Sequence, residues 1–233
     1  MKPMRKVLKS GQEITIKTCT NDDLPAILAL QKEVIETLTT TSFLQALSKE
    51  EFLHILSANG LMIGAFFEDE LIAFRALLIP DVHETDHLGE DAGIPKAAWS
   101  KVIYSEISNV SPSFRGNGLQ KILGECIIEE IDREKFRYIC ATVAPFNIAS
   151  LLDKFAHGLK IVAVKEKYEG LLRYILMRDF DAEENEAGQC QFVPMEDIVQ
   201  QQKLLAAGWT GIRLEKRGSQ WFVGYQLDRG AII

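Results

Sequence analysis

Residues 104–124, YSEISNVSPSFRGNGLQKILG, hold the groups best suited to chemistry. Gly116 and Gly118 leave backbone N–H groups uncovered at the start of a segment in which Leu119, Ile122, Leu123, Cys126, Ile127 and Ile131 recur at helical spacing. The N-terminus of a helix carries the positive end of its dipole, so those N–H groups are anion donors. Arg115 adds a permanent cation with a fork of donors. No acidic residue lies between Asn109 and Gly124. The stretch is therefore built to hold an anion, a phosphate or pyrophosphate; a plain tight turn before a helix is the simpler alternative. A P-loop would carry Gly-Lys-Ser/Thr where this chain has Leu119-Gln120, and a dinucleotide fingerprint would place a third glycine at Lys121.

A second candidate group is Glu106, a carboxylate inside the apolar run that precedes the loop. Low-dielectric walls would raise its pKa and fit it to accept a proton. Strict alternation would instead place it with Tyr104 and Ser108 on a solvated face. Residues 80–98 contain Asp81, His83, Glu84, Asp86, His87, Glu90 and Asp91. Their spacing follows no helix, so they read as a solvated acidic loop, or one that meets a cationic partner, and no metal site is assigned. His157 beside Gly158 reads as a helix C-terminal residue favoured by the dipole. Cys19, Cys126, Cys140 and Cys190 make no CxxC pair and read as reduced thiols of a cytoplasmic protein.

The elements that position these groups are legible from patterning. Glu13–Thr18 alternates as a strand, Thr20–Asp23 caps a helix carrying Leu24, Ile27, Leu28, Leu30, Val34 and Ile35, and the polar run at residues 39–42 breaks it. Ser48 and Glu51 form a capping box for a second helix, ended by Asn59-Gly60. Strands are expected at 61–67 and 71–78, a loop over 80–98, then the strand and helix around the anion loop. A strand at 137–144, a helix at 148–156 capped by Asn147 and a hairpin of 159–164 with 171–180 around residues 167–170 complete the main domain, residues 1–180. Residues 181–190 (DAEENEAGQC) read as an acidic linker, and 191–233 as an appendage with a helix over 195–206 and a hairpin in which Ile212 and Leu214 face Trp221, Val223 and Tyr225. The appendage is too small to fold alone. It is expected to pack on the main domain or, in a homodimer, on a second copy of the chain.

Composition sets outer limits. Among 233 residues, 47% are hydrophobic and 25% charged, ordinary for a soluble globular chain. The formal net charge of −7 argues against general nucleic-acid binding. No apolar run is long enough to span a membrane, and the N-terminus lacks the apolar core of a secretory signal.

The segment Val110-Ser111-Pro112-Ser113-Phe114-Arg115-Gly116-Asn117-Gly118-Leu119 resembles the acyl-CoA loop of the GNAT superfamily of N-acyltransferases, whose pattern is Val-x-Pro-x-aromatic-Arg-Gly-x-Gly-Leu/Ile. Gln120 replaces the family's Gly or Ala. The order β, α, α, β, β, β, α, β, α, β, β over residues 13–180 matches that family, and Asn147, Ser150 and Gly158-Leu159 echo its second signature. The resemblance implies an α/β fold with a mixed sheet and a direct transfer of acetyl from acetyl-CoA to a primary amine, with no metal. It assigns the cofactor to the backbone of Val110 and of Arg115, Gly116, Asn117, Gly118, Leu119 and Gln120, with Asn147 and Ser150 contributing along the pantetheine or adenine. It makes Glu106 the general base and a backbone N–H of residues 107–110 the oxyanion donor. The family's tyrosine acid falls here at Lys154, which reads as a surface lysine, leaving Tyr168 and Tyr174 as proton-donor candidates or packing residues. A non-catalytic acyl-CoA sensor of the same shape is the alternative, and a nucleotide-phosphate enzyme a third reading.

Overall fold

The alternation of Glu13–Thr18 becomes a strand in the computed structural model, which describes residues 1–37, 45–168, 170–182 and 190–227. Ile14 and Ile16 are 1% and 0% exposed, whereas Glu13 faces solvent. The polar break at residues 39–42, Glu169 of the hairpin turn, most of the acidic linker (183–189) and the last six residues lie outside the described residues.

The chain divides into two compact units. The first comprises Met1–Asp81 and Ile103–Asp132. Its strands form an antiparallel meander: β1 (Met4–Val7) on β2 (Glu13–Thr18), then β3 (Gly60–Phe67), β4 (Glu70–Leu78) and β5 (Val102–Val110). Helix α1 (Leu24–Glu36) buries Leu24, Ile27, Leu30 and Val34; with α2 (Lys49–His54) it covers a core that includes Phe52, Met62, Phe74, Ala76 and Ile107. The Ser48–Glu51 capping box forms as its sequence predicts. Residues alternating with that core point to the other side of the strands. There α4 (Leu119–Glu129) packs on β3 and β4. The expected loop at 80–98 falls almost wholly in the second unit; it contains a short helix, α3 (Leu88–Asp91), and runs into a 3-10 turn, Lys96–Lys101.

The second unit comprises Val82–Val102 and Arg133–Ile233. Its strands are β6 (Tyr138–Val143), β7 (Lys160–Lys167), β8 (Leu171–Asp179), β9 (Cys190–Pro194), β10 (Trp209–Arg217) and β11 (Gln220–Leu227). Their antiparallel pairing runs β6-β8-β7-β10-β11-β9. Helices α5 (Ile148–Ala156) and α6 (Ile198–Ala206) complete the unit, α6 packing against β7 and β10. The C-terminal hairpin has the expected partners Leu214 and Val223, and β10 reaches β7 at Gly211↔Ile161. A Cβ on Gly211 would stand 3.0 Å from Ile161 Cβ and 3.1 Å from Val223 Cγ1, so glycine is what lets the two strands approach. The helix expected over 195–206 starts later, at Ile198 after the cap Asp197, and Met195 N–H bonds across to the Trp221 carbonyl of β11 at 2.9 Å.

Candidate functional site

The strand–turn–helix in the first unit forms around two left-handed glycines. After β5, the Ser111 N–H extends the ladder to the Ile72 carbonyl at 2.8 Å, and Pro112–Phe114 makes a single 3-10 turn. Gly116 and Gly118 then adopt φ of 81° and 77°, conformations that a Cβ penalises. Among the described residues, none beyond the chain neighbours has an atom within 4 Å of where a Cβ would stand at either, so backbone angle rather than crowding requires glycine there. Gly118 is the N-cap of α4 and contributes no side-chain cap, so among the described residues no N-cap side chain covers the first-turn N–H groups.

The loop is held from behind. Phe114 packs on Phe67 with ring centroids 5.6 Å apart, and Asn117 donates from Nδ2 to the Phe114 carbonyl at 3.1 Å while its Oδ1 accepts from Ser10 N–H at 3.1 Å. Arg115 donates to Thr37 Oγ1 at 2.9 Å, placing its guanidinium at the C-terminal end of α1. Beneath α4, the buried Arg75 donates to the Gln120 carbonyl at 3.2 Å. The resulting nest of uncapped N–H groups beside a cation can bind an anion.

Glu106 sits at a β-bulge. In the β4–β5 pairing Ala76 stands opposite Ile107 and Leu77 opposite Ser105, so Glu106 is the extra residue. The simple alternation that groups Glu106 with Tyr104 and Ser108 fails for that reason. Tyr104 is opposite Leu78, which packs on the α1/α2 core, whereas Ser108 is opposite Arg75 on the other face. A bulge re-aims the side chain it carries and disturbs the ladder locally; Glu106 is half-buried.

The remaining candidates lie in the second unit. Asn147 caps α5, its Oδ1 accepting the Ser150 N–H at 3.3 Å, so these two residues share the first turn. Tyr168 occupies the β7–β8 turn, half-buried, with its hydroxyl 3.2 Å from Thr142 Oγ1. Tyr174 is 0% exposed, and its hydroxyl donates to Gln201 Oε1 at 2.8 Å; burial pushes its phenol pKa up. Lys154, read from sequence as a surface residue, is buried: its side chain is 10% exposed, with Nζ 3.4 Å from Asp153 Oδ2. Its spacing of three from Leu151, also buried, is the sequence signal that it shares the inward face of α5.

The histidines and acids of residues 82–102 have structural partners. The His87 ring stacks on Trp99 at 4.4 Å, its Nδ1 accepts the Gly89 N–H at 3.0 Å, and burial lowers its pKa. Asp91 bridges two lysines of β7, accepting from Lys165 and Lys167 at 2.8 Å each. No cluster of three or more His, Cys, Asp or Glu side chains suited to a metal occurs among the described residues. Burial would raise the Asp91 pKa, but the hydrogen bonds from Lys165 and Lys167 outweigh it and hold the carboxyl below its ordinary 3.8. The stability this contributes is present above about pH 4 and is lost as pH falls through the lower folded value. Asp91→Asn is expected to destabilise the protein by about 1 kcal/mol at neutral pH, since it removes the carboxylate shared by the two lysines and leaves the buried Lys167 with the carbonyl and carboxylate of Asp86. In urea unfolding, the gap between variant and parent should narrow as the pH falls below about 4.

No protein-family model matches the chain, and no curated protein matches it. Solved structures do. The GNAT domain of S. lividans PAT superposes with a TM-score of 0.54 at 18% identity, over 76% of this chain and 96% of that one. The ribosomal-protein-S18-alanine N-acetyltransferase from Escherichia coli gives 0.54 at 14% identity, over 76% and 99%. Arabidopsis thaliana NAA60, in complex with acetyl-CoA, gives 0.58 at 14% identity, over 72% and 99%. These likenesses extend over nearly the whole of each counterpart, and in architecture this is a protein of the GNAT acyltransferase fold, α/β with a mixed sheet.

Proposed function

We propose that the protein is an N-acetyltransferase that moves an acetyl group from acetyl-CoA directly to a primary amine. The observation that carries this reading is the uncapped N-terminus of α4 behind two left-handed glycines, at the end of a bulged strand bearing Glu106. That arrangement, on a fold with a solved counterpart in complex with acetyl-CoA, supports pyrophosphate binding by the backbone of Arg115–Gln120.

In the reaction, the neutral amine nitrogen attacks the thioester carbonyl carbon and forms a tetrahedral oxyanion. A backbone N–H of residues 107–110 stabilises that charge, and the C–S bond then breaks to release the thiolate. Glu106 takes the proton that the amine loses. A thiol of pKa about 8.5 leaves readily without full protonation, so the demand on an acid is small. Of the two tyrosine candidates, Tyr168 is the one whose hydroxyl is not committed to Gln201. Positioning supplies about 7–11 kcal/mol of such a barrier, against roughly 10²–10⁴-fold from a base.

The test is calorimetric titration with acetyl-CoA, ATP and NAD, followed by thiol release with a panel of primary amines. Selective acetyl-CoA binding with amine-dependent thiol release is the expected result. Glu106→Gln should lower kcat about 100-fold with little change in acetyl-CoA affinity. Tight acetyl-CoA binding without turnover on any amine would favour a non-catalytic sensor, and no binding would sink the reading altogether.

A further inference from the structure

Asn109 lies on β5, one residue before the loop, and is 1% exposed. Neither its Nδ2 nor its Oδ1 has a hydrogen-bond partner among the described residues. Buried side-chain amides in that condition are uncommon and destabilise the fold that holds them. The strand register defines the surroundings. Asn109 stands opposite Phe74, and beyond the bulge Ile107, Asn109 and Ser111 project to the face where α1 and α2 pack. Ile107 belongs to that core, while Ser111 Oγ donates to Glu33 Oε1 at 3.2 Å. Along this line polarity rises from an apolar side chain, through an unsatisfied amide, to a hydroxyl paired with an exposed carboxylate. A leucine would occupy the same volume without the desolvation cost, so folding alone gives no reason for asparagine here.

We propose that Asn109 is a substrate-binding residue whose side chain pairs with a secondary amide of a bound substrate. Nδ2 would donate to the carbonyl oxygen of that amide and Oδ1 would accept its N–H. The pairing follows from the inventory of the group: a carboxamide offers donors and an acceptor together. A carboxylate or an ammonium ligand would satisfy only half of it, whereas a peptide-like amide satisfies both ends. Asn109 lies three residues from Glu106, about 10 Å along an extended strand, within the span of one substrate. The inference rests on the acetyl-CoA reading above, under which the amide belongs either to the amine acceptor or to the pantetheine arm.

The experiment compares the parent protein with Asn109→Leu and Asn109→Ala. Three quantities are read: ligand-free thermal unfolding, acetyl-CoA affinity by calorimetry, and thiol release with glycylglycinamide against n-butylamine. Asn109→Leu should melt at or above the parent temperature, because it removes an unsatisfied amide. It should also weaken acetyl-CoA binding roughly tenfold, or reduce the preference for glycylglycinamide over n-butylamine roughly tenfold. The first outcome places the partner amide on pantetheine, the second on the acceptor. Should the leucine variant fail to fold, the alanine variant carries the same readouts. Unchanged affinity and unchanged preference, in a parent that binds acetyl-CoA, would overturn the assignment and leave the proposed function standing. A parent that does not bind acetyl-CoA overturns that function and this inference with it.

Discussion

Gly118→Asp should reduce acetyl-CoA affinity more than 100-fold while the protein stays folded. Gly118 is the N-cap of α4 at φ 77°, and no described residue beyond its chain neighbours has an atom within 4 Å of the place a Cβ would take, so a Cβ there meets no clash among them. The left-handed conformation costs a non-glycine residue about 1 kcal/mol, and aspartate tolerates it better than most. That strain is common to the free and bound protein and does not enter the binding constant. Two other effects do. The new carboxylate can accept first-turn N–H groups of α4 and so competes for the donors that the pyrophosphate needs, an effect of about 1 kcal/mol. It also places a negative charge a few ångströms from the ligand's own, worth about 1 kcal/mol in water and about 4 at an effective dielectric of 20. Together these give roughly 3 kcal/mol, about two orders of magnitude in Kd. Gly118→Ala is the control, since it has the backbone strain and no charge, and it should bind within a few-fold of the parent. Calorimetry and thermal unfolding read both variants. An aspartate variant that binds acetyl-CoA as tightly as the alanine variant would mean that no phosphate approaches this loop.

The parts of the molecule that are legible in sequence are those whose cause is local. The helix start behind Gly116 and Gly118, the Ser48–Glu51 capping box and the Asn147 cap are each decided by a few neighbouring residues, and each forms where the sequence puts it. The bulge at Glu106 is a property of two strands, because the extra residue exists only relative to β4. One strand's alternation therefore assigns the wrong companions to Glu106. β1 escapes a reading of patterns because its four residues, Met-Arg-Lys-Val, are mostly exposed and carry no alternation to detect. Lys154 and Asn109 illustrate a related failure. Both are polar types normally assigned to the surface, and both are buried by what packs over them, which composition does not encode. A start of α6 at Met195 is too early because it passes over the local cap: Asp197 accepts the Gln200 N–H and begins the helix at Ile198.

Gln201→Leu should be the most destabilising single substitution among the described polar residues of the second unit, at about 3 kcal/mol. Gln201 on α6 is 0% exposed and makes four hydrogen bonds. Its Oε1 accepts from Tyr174 on β8 and Tyr225 on β11, each at 2.8 Å. Its Nε2 donates to the Met195 carbonyl at 2.8 Å and the Pro194 carbonyl at 3.1 Å. Both tyrosines are 0% exposed, and burial pushes both phenols up in pKa. Leucine would keep the volume but leave two buried hydroxyls and the Met195 carbonyl without their partner, at about 1 kcal/mol or more each, while the Pro194 carbonyl keeps the Asp197 N–H at 3.0 Å. Tyr174→Phe and Tyr225→Phe each remove one bond and leave the Gln201 oxygen with the other, so each should cost about 1 kcal/mol. In urea unfolding the two tyrosine variants should combine non-additively, because they share one acceptor. The same series separates packing from chemistry at Tyr174. With its hydroxyl committed to Gln201, Tyr174→Phe should change kcat less than about twofold, while Tyr168→Phe, at the half-buried turn, acts on the proton transfer if Tyr168 is the acid. A Tyr174→Phe protein that is fully stable but has lost turnover would return Tyr174 to the reaction and require its hydroxyl to leave Gln201 during catalysis.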